Sequence, residues 1–475
     1  MTTNAPAAED IRSRHRLIAN WRQDLLADGL IAIVGDGLVA RLVALGAAAL
    51  GIGTGKGCIT LIASPRPPGG IFCEPSPDAE DDDAAAHGIA RAVESRYPDC
   101  TFFAIPFSPA EPSAELLAPR SPLVINCAGT LDDFLAAAEL AQQWRADIVS
   151  SFYGDGQIFI LAGAEALAAG CVAPGRGQSP MRVSRRVGRS AQWGLSPISE
   201  CAGSAALAMV TAGLLLGEAR RRLMPLPGDA PLEEIRIEAP SLSSPRPCHM
   251  VMVGAGASAS AAAVGIAPLL AGGCSLAIYD PDVVEASNRS RSWLFERQEH
   301  KVEALARWLS RQAPGAQVTP VAAPAGADVL ERQPDAEVVL LNTDTWTSRA
   351  DIDLALARAG RRVALNVGTS PGGVTEFAMG AGAACLRCRR PDLDDLVAEE
   401  AERAARPHSC ANQPQGSHII TNMIGGGLQA RALERYLCAG QVEPAIVTYD
   451  PSYPRRLALR SPQSCGCYGQ RDGAK

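Results

Sequence analysis

Cys248-His-Met-Val-Met-Val-Gly254-Ala-Gly256-Ala-Ser-Ala is the stretch on which the fold turns. Its apolar run reads as a buried strand, Gly254 and Gly256 as a tight turn, and the Ala-rich run that follows as a helix. A second short strand, Cys274-Ser-Leu-Ala-Ile-Tyr-Asp280, comes next. Strand, glycine turn, helix and strand make a βαβ unit, which predicts a mostly parallel sheet. The same order occurs earlier, as Gly29-Leu-Ile-Ala-Ile-Val-Gly35-Asp-Gly37, an Ala/Leu-rich run and Cys58-Ile-Thr-Leu-Ile-Ala. Further strands fit Pro122-Leu-Val-Ile-Asn126 and Glu337-Val-Val-Leu-Leu-Asn342. The chain therefore divides into two weakly similar α/β halves, 1–240 and 241–475, joined near the Pro/Ser-rich stretch from Ala239 to Pro247.

The composition agrees with a globular α/β chain. It has 475 residues, enough for two to four domains at roughly 150 residues each. Hydrophobic residues make up 47% and charged residues 20%, so a sizeable core is expected and disorder is not. The net charge of −7 argues against a nucleic-acid partner bound by phosphate neutralisation. A membrane span is not expected: the most apolar stretch, Gly29 to Leu50, is broken by Asp36 and Arg41. The first twenty residues carry Glu9, Asp10 and several arginines and lack the apolar centre of a signal peptide, so a cytoplasmic location is expected. In that compartment the fourteen cysteines read as thiols, metal ligands or a nucleophile rather than disulfides.

The second half concentrates polar residues after its glycine turn. A Gly-x-Gly turn lets backbone approach a phosphate, and the following helix offers free N–H groups. Asp280 closes the next strand 26 residues after Gly254, where an acid can hold ribose hydroxyls. Asn288, Arg291 and Lys301 follow, and Lys56, Lys301 and Lys475 are the only lysines of the chain. An acid, an Asn, an Arg and a Lys suit a nucleoside triphosphate. Asp344, just past the strand ending at Asn342, offers a hard oxygen ligand for Mg²⁺.

Asp280-x-Asp282-x-Val284-x-x-Ser287-Asn288-x-x-Arg291, with Lys301 and Thr343-Asp344-(x)4-Arg349, resembles the ThiF/MoeB/ubiquitin-activating superfamily over roughly residues 248 to 467. The family pattern ends Ser-Asn-Leu-x-Arg-Gln; here Arg289 replaces the Leu and Ser292 the Gln. The resemblance implies adenylation of the carboxyl-terminal glycine of a ubiquitin-like protein. It implies that Gly254, Gly256 and Asp280 hold the nucleotide, Asn288, Arg291 and Lys301 its phosphates, and Asp344 the magnesium.

Cys385-Leu-Arg-Cys388 and Cys465-Gly-Cys467 are two close pairs that together can wrap a tetrahedral Zn²⁺. The family brackets this region with two CxxC pairs that hold a structural zinc; the second pair here is CxC. Cys410, in Pro407-His-Ser-Cys-Ala-Asn, follows an acidic stretch from Asp392 to Arg406 that reads as mobile. In several family members a cysteine at this place takes the activated acyl group as a thioester, and a neighbouring His408 could lower its pKa.

The first half looks like a worn copy. Its turn, Gly35-Asp36-Gly37, places an acid where a phosphate would be repelled. No acid stands at the place of Asp280 or of Asp344. Arg12-Ser-Arg14-His-Arg16 resembles the family's Arg-Tyr-x-Arg-Gln segment, whose second arginine reaches the ATP of the opposite active site, and Arg14 is the nearest match. The expected protein is thus a pseudo-dimer of two Rossmann-like ThiF-type domains, inactive then active. It resembles the activating enzymes of bacterial ubiquitin-like (Bil-type) conjugation systems, associated with phage defence, whose partners are a small β-grasp protein and a ubiquitin-conjugating-type enzyme. Sulfur-carrier activation for thiamin or molybdopterin synthesis is the alternative within the family, although those enzymes usually pair two active chains. A dinucleotide-dependent oxidoreductase is the alternative outside it, and leaves Asn288, Arg291, Asp344 and the cysteine pairs unexplained. A non-catalytic scaffold is opposed by the intact Asp280/Arg291/Lys301/Asp344 set.

Overall fold

The computed structural model describes residues 10–63, 85–111, 119–128, 131–154, 157–163, 204–232, 234–238, 244–359, 362–380, 383–404, 416–440, 446–452, 457–460 and 465. They fall into two compact units. One comprises Asn20–Ser241 with Pro451–Arg456, the other Met1–Ala19 with Leu242–Asp450 and Leu457–Lys475. Each is an α/β unit built on its own mixed, mostly parallel sheet.

In the first unit, β1 (Leu30–Val34) is followed by α1 (Leu38–Leu50), β2 (Cys58–Ile62), α2 (Ala85–Arg96), β3 (Phe102–Ile105), β4 (Leu123–Asn126), α3 (Leu131–Trp144), β5 (Asp147–Gly154), β6 (Gln157–Ala162), α4 (Ala205–Leu223) and β7 (Glu234–Glu238). The strands lie in the order β3-β2-β1-β4-β5-β6-β7. Pairings from β3 through β5 are parallel; β6 and β7 add antiparallel. The central strands are buried almost continuously rather than on alternate residues, because helices cover both faces of a parallel sheet.

The second unit repeats this plan. β8 (His249–Val253), α5 (Ala257–Ala271), β9 (Ser275–Tyr279), α6 (Lys301–Gln312), β10 (Gln317–Val321), β11 (Val338–Leu341), α7 (Trp346–Ala359) and β12 (Val363–Ser370) build the parallel part. β13 (Gly373–Gly380), α8 (Leu393–Ala404), α9 (Ile419–Ala439), β14 (Ile446–Tyr449) and β15 (Leu457–Arg460) complete it. Its order is β10-β9-β8-β11-β12-β13-β14-β15, the first unit's order with one more strand. The predicted strands are therefore found within a residue or two of their expected ends.

Helix α9 sits very close to α5, and its Gly425-Gly426-Gly427 is the reason. A Cβ on Gly426 would collide with the Ser258 carbonyl oxygen and the Ala262 nitrogen, and one on Gly425 would lie 2.8 Å from Thr369 and Val367 methyls. Glycine lowers helix propensity by about 1 kcal/mol relative to Ala. It is tolerated here because it brings the helix backbone against α5 and the sheet.

Two sequence expectations are revised. The acidic run 393–404 is a helix, with Leu393 buried against the β11 layer. Arg14, expected with the first half, belongs to the compact unit of the second. The segment holding it is a short 3-10 helix, Ser13–Leu17, with His15 buried. It is fixed by contact: a Cβ on Gly416 would meet Leu17 and Ile18 at 2.9 and 2.8 Å. Among the described residues no helix is long and apolar enough to cross a membrane.

Candidate functional site

In an open α/β sheet, ligands bind beyond the carboxyl ends of the strands where the strand order reverses. In the second unit that point lies between β8 and β11, because the chain runs outward from β8 through β9 to β10 and then returns to the other side of β8. The Gly254–Gly256 turn, Asp280 and Asp344 stand just past the ends of these strands.

Gly254 ends β8 with φ +88, and a Cβ there would stand 2.8 Å from the Asn342 carbonyl oxygen. Only glycine fits this close approach at positive φ without strain. Gly256 then caps the start of α5, and a Cβ added to it meets nothing within 4 Å, so the turn is open on that side. The first helical turn carries no acid, which leaves its N–H dipoles suited to an anion.

Asp280 directly follows β9 and is 8% exposed. Its Oδ2 accepts from the Ala255 N–H at 2.7 Å and its Oδ1 from the Asp282 N–H at 2.8 Å. Burial pushes its pKa above the usual carboxylate range, partly offset by these two bonds and by Lys301. Lys301, the first residue of α6, is tied back by Nζ to Asp282 Oδ2 at 2.7 Å. The Asn288 carboxamide is used locally: its Oδ1 accepts from the Glu285 N–H at 2.9 Å, in a reciprocal cap with the Glu285 side chain. Arg291 lines a small cleft with Ala257 and Ser260 from the first turn of α5 and Ile419 and Met423 from that of α9. Arg14 lies 3.8 Å from Glu285, close to the same motif.

Asp344 is exposed in the loop after β11. Two residues beyond the expected set hold that loop. Arg349 is buried and donates to the Thr343 carbonyl at 2.6 Å, the Val367 carbonyl at 3.3 Å and the Asn366 side chain. Burial draws its pKa down to about 10, which still leaves it charged at neutral pH. Glu400 on α8 accepts from the N–H groups of Trp346 and Thr347 at 3.1 and 2.9 Å, so it caps α7 two residues past Asp344. The motif spacing pointed to Arg349 without a role; nothing in the sequence pointed to Glu400.

Asn342, at the end of β11, is 8% exposed, and neither Nδ2 nor Oδ1 has a hydrogen-bond partner among the described residues. A buried polar group left so costs about 1–3 kcal/mol.

The cysteine pairs are partly in view. The sulfurs of Cys385, Cys388 and Cys465 lie within 4.8 Å of one another. The Cys385 N–H points to Cys465 Sγ at 3.2 Å and the Cys388 N–H to Cys385 Sγ at 3.4 Å, which favours thiolates. This donor set fits a tetrahedral metal. The expected fourth ligand, Cys467, and the expected acyl acceptor, Cys410, lie outside the described residues.

Residues 235–468 match the family described as the ThiF family. No curated protein matches the chain. Among solved structures it is similar to E. coli MccB with AMPCPP and SeMet MccA, at 15% identity and a TM-score of 0.37, covering 45% of this chain and 63% of that one. It is similar to E. coli MccB with ATP at 13% identity and a TM-score of 0.38, covering 46% and 65%. For E. coli MccB alone the values are 16%, 0.39, 47% and 66%. The chain thus spans less than two thirds of each of these structures. The family match covers residues 235–468, and over that stretch the chain is similar to the ThiF family.

Proposed function

We propose that this chain activates the carboxyl terminus of a small ubiquitin-like, β-grasp protein by ATP-dependent adenylation, and then carries it as a thioester toward a ubiquitin-conjugating-type enzyme in a bacterial antiphage conjugation system. One observation carries the reading. Asp280, the Gly254–Gly256 turn and Asp344 form one continuous rim over the ends of β9, β8 and β11, with Arg291 at the adjoining helix N-termini.

The chemistry follows from these groups. Asp280 accepts from ribose hydroxyls while still holding the glycine turn. The open face of Gly256 and the start of α5 receive the phosphates. Arg291, Lys301 and Arg14 supply positive charge where the triphosphate accumulates negative charge, and the Asn288 amide adds a donor. Asp344 suits magnesium, which would neutralise part of that charge. A substrate carboxylate oxygen attacks the α-phosphorus; the acyl–phosphate bond forms and pyrophosphate leaves with the electron pair of the broken P–O bond. The Cys410 thiolate then attacks the acyl carbon, and AMP leaves. Cys385, Cys388, Cys465 and Cys467 suit a structural zinc, since a closed set of four thiolates keeps no open position for catalysis.

The test uses purified chain, Mg·ATP and a candidate β-grasp protein, read by intact mass without reductant. The expected result is a partner-sized adduct that thiol removes and Cys410→Ser abolishes, while ATP–pyrophosphate exchange persists in that variant. Exchange without an adduct would restrict the reading to adenylation. No exchange with any β-grasp partner would overturn it.

A further inference from the structure

The sequence reading left Asn342 without a role, and the adenylation chemistry above does not use it. Its position has a counterpart in the first unit. The Asn342 N–H donates to the Val253 carbonyl at 2.8 Å, and the Cys127 N–H to the Val34 carbonyl at 2.9 Å; these are the last residues of β8 and β1. A Cβ on Gly254 would run into the Asn342 carbonyl, and one on Gly35 into the Cys127 carbonyl. Asn342 and Cys127 therefore hold the same place in two copies of one sheet. Cys127 is buried, and its thiol is pushed far up in pKa by that burial, so it behaves as a small apolar group. Asn342 is also buried but presents a donor and an acceptor with no partner among the described residues. The fold thus does not need a carboxamide here; the second unit alone has one.

Its place in the sheet follows from strand order. Asp280 directly follows β9 on one side of β8, and Asn342 directly follows β11 on the other. An acid at the end of β9 places the ribose on its own side of the phosphates. The far side, where Asp344 follows two residues after Asn342, is left for the group that attacks. A peptide main chain offers one N–H and one carbonyl or carboxylate oxygen per residue, the complement of a carboxamide.

We propose that Asn342 is a specificity-determining contact to the last residue of the substrate, its Nδ2 donating to the terminal carboxyl oxygen and its Oδ1 accepting from that residue's N–H. This rests on the adenylation reading. The test compares two stable nucleosides by calorimetry on the full chain: sulfamoyladenosine, and glycylglycyl-sulfamoyladenosine, which adds a dipeptide acyl group. Asn342→Leu removes both polar atoms at similar volume, and Asn342→Cys installs the first unit's residue. The expected result is that wild type binds the acylated compound more tightly, and that both variants lose about tenfold on it while keeping wild-type affinity for sulfamoyladenosine. Equal losses on both compounds would assign Asn342 to the nucleotide and overturn the inference, as would no loss on either. Wild type that binds neither compound would overturn the adenylation reading and this contact with it.

Discussion

The glycine turns of the two units share a backbone and differ in nearly every polar atom. Gly35 and Gly254 both have positive φ, at +136 and +88, and both lie against the carbonyl ending the neighbouring strand. Their N–H groups bond in the same way, to Ile62 and Tyr279 at 2.9 and 2.8 Å. Past those residues the first unit has Ala63 and the second Asp280. The middle of the turn is Asp36 in one and Ala255 in the other. Apolar strands and tight turns are held by folding itself, so they remain in both copies. A buried carboxylate and an unpaired carboxamide oppose folding by burial alone. At these strand ends, among the described residues, they occur in the second unit and not in the first, and a nucleotide is proposed to complete them.

Charge deletion gives the largest expected contrast. Arg291→Ala and Asp344→Ala should each lower ATP–pyrophosphate exchange by about 10²–10³-fold, the usual loss for a group aimed at developing charge. Asp36→Ala, in the corresponding turn of the first unit, should leave exchange unchanged. An equal loss from Asp36→Ala would break the comparison, because it would place chemistry in both copies.

The parallel part of each sheet was legible from residues because buried parallel strands are continuous apolar runs closed by glycine, and Leu30–Val34 and His249–Val253 are both of that kind. Asp280, Asn288, Arg291, Lys301 and Asp344 could be nominated as candidates because the motif spacing is local. Long-range partnerships were not. Nothing in the N-terminal sequence says that Leu17 and Ile18 pack on Gly416, or that Glu400 caps α7 from a neighbouring helix. The same holds for Asn342: its sequence context says strand end, and only the packed sheet shows both amide atoms buried without a partner among the described residues.

A methyl group sharpens the contrast at smaller scale. Gly37 and Gly256 cap α1 and α5, and a Cβ on either meets nothing within 4 Å. Neither Gly37→Ala nor Gly256→Ala should change unfolding free energy by more than about 0.5 kcal/mol. Gly256→Ala should nevertheless weaken ATP binding, by about tenfold, since the methyl stands where backbone must approach phosphate. Gly37→Ala should leave ATP binding alone. Calorimetric titration of both variants with ATP separates the copies without disturbing either fold, and a loss in Gly37→Ala would mean that the first turn also meets the ligand.

The smallest effect concerns Asp280 before any ligand binds. Its carboxyl has a raised pKa, chiefly because burial penalises the charged form. Between the ordinary aspartate range and the higher folded value, the folded protein keeps a proton that the unfolded chain has released. Its contribution to stability is therefore complete below the unfolded value and is lost as pH rises through the folded one. Asp280→Ala installs the residue of the first unit, Ala63, and removes this dependence. Urea unfolding at a series of pH values should show wild type losing stability relative to Asp280→Ala as pH rises through that window. The opposite slope would mean that the Ala255 and Asp282 N–H bonds outweigh burial and hold the carboxylate ionised in the free protein. The two outcomes differ in what the ribose must do: in the first it meets an acid that still resists ionisation and must supply donors that favour the charged form, and in the second it finds the acceptor already prepared.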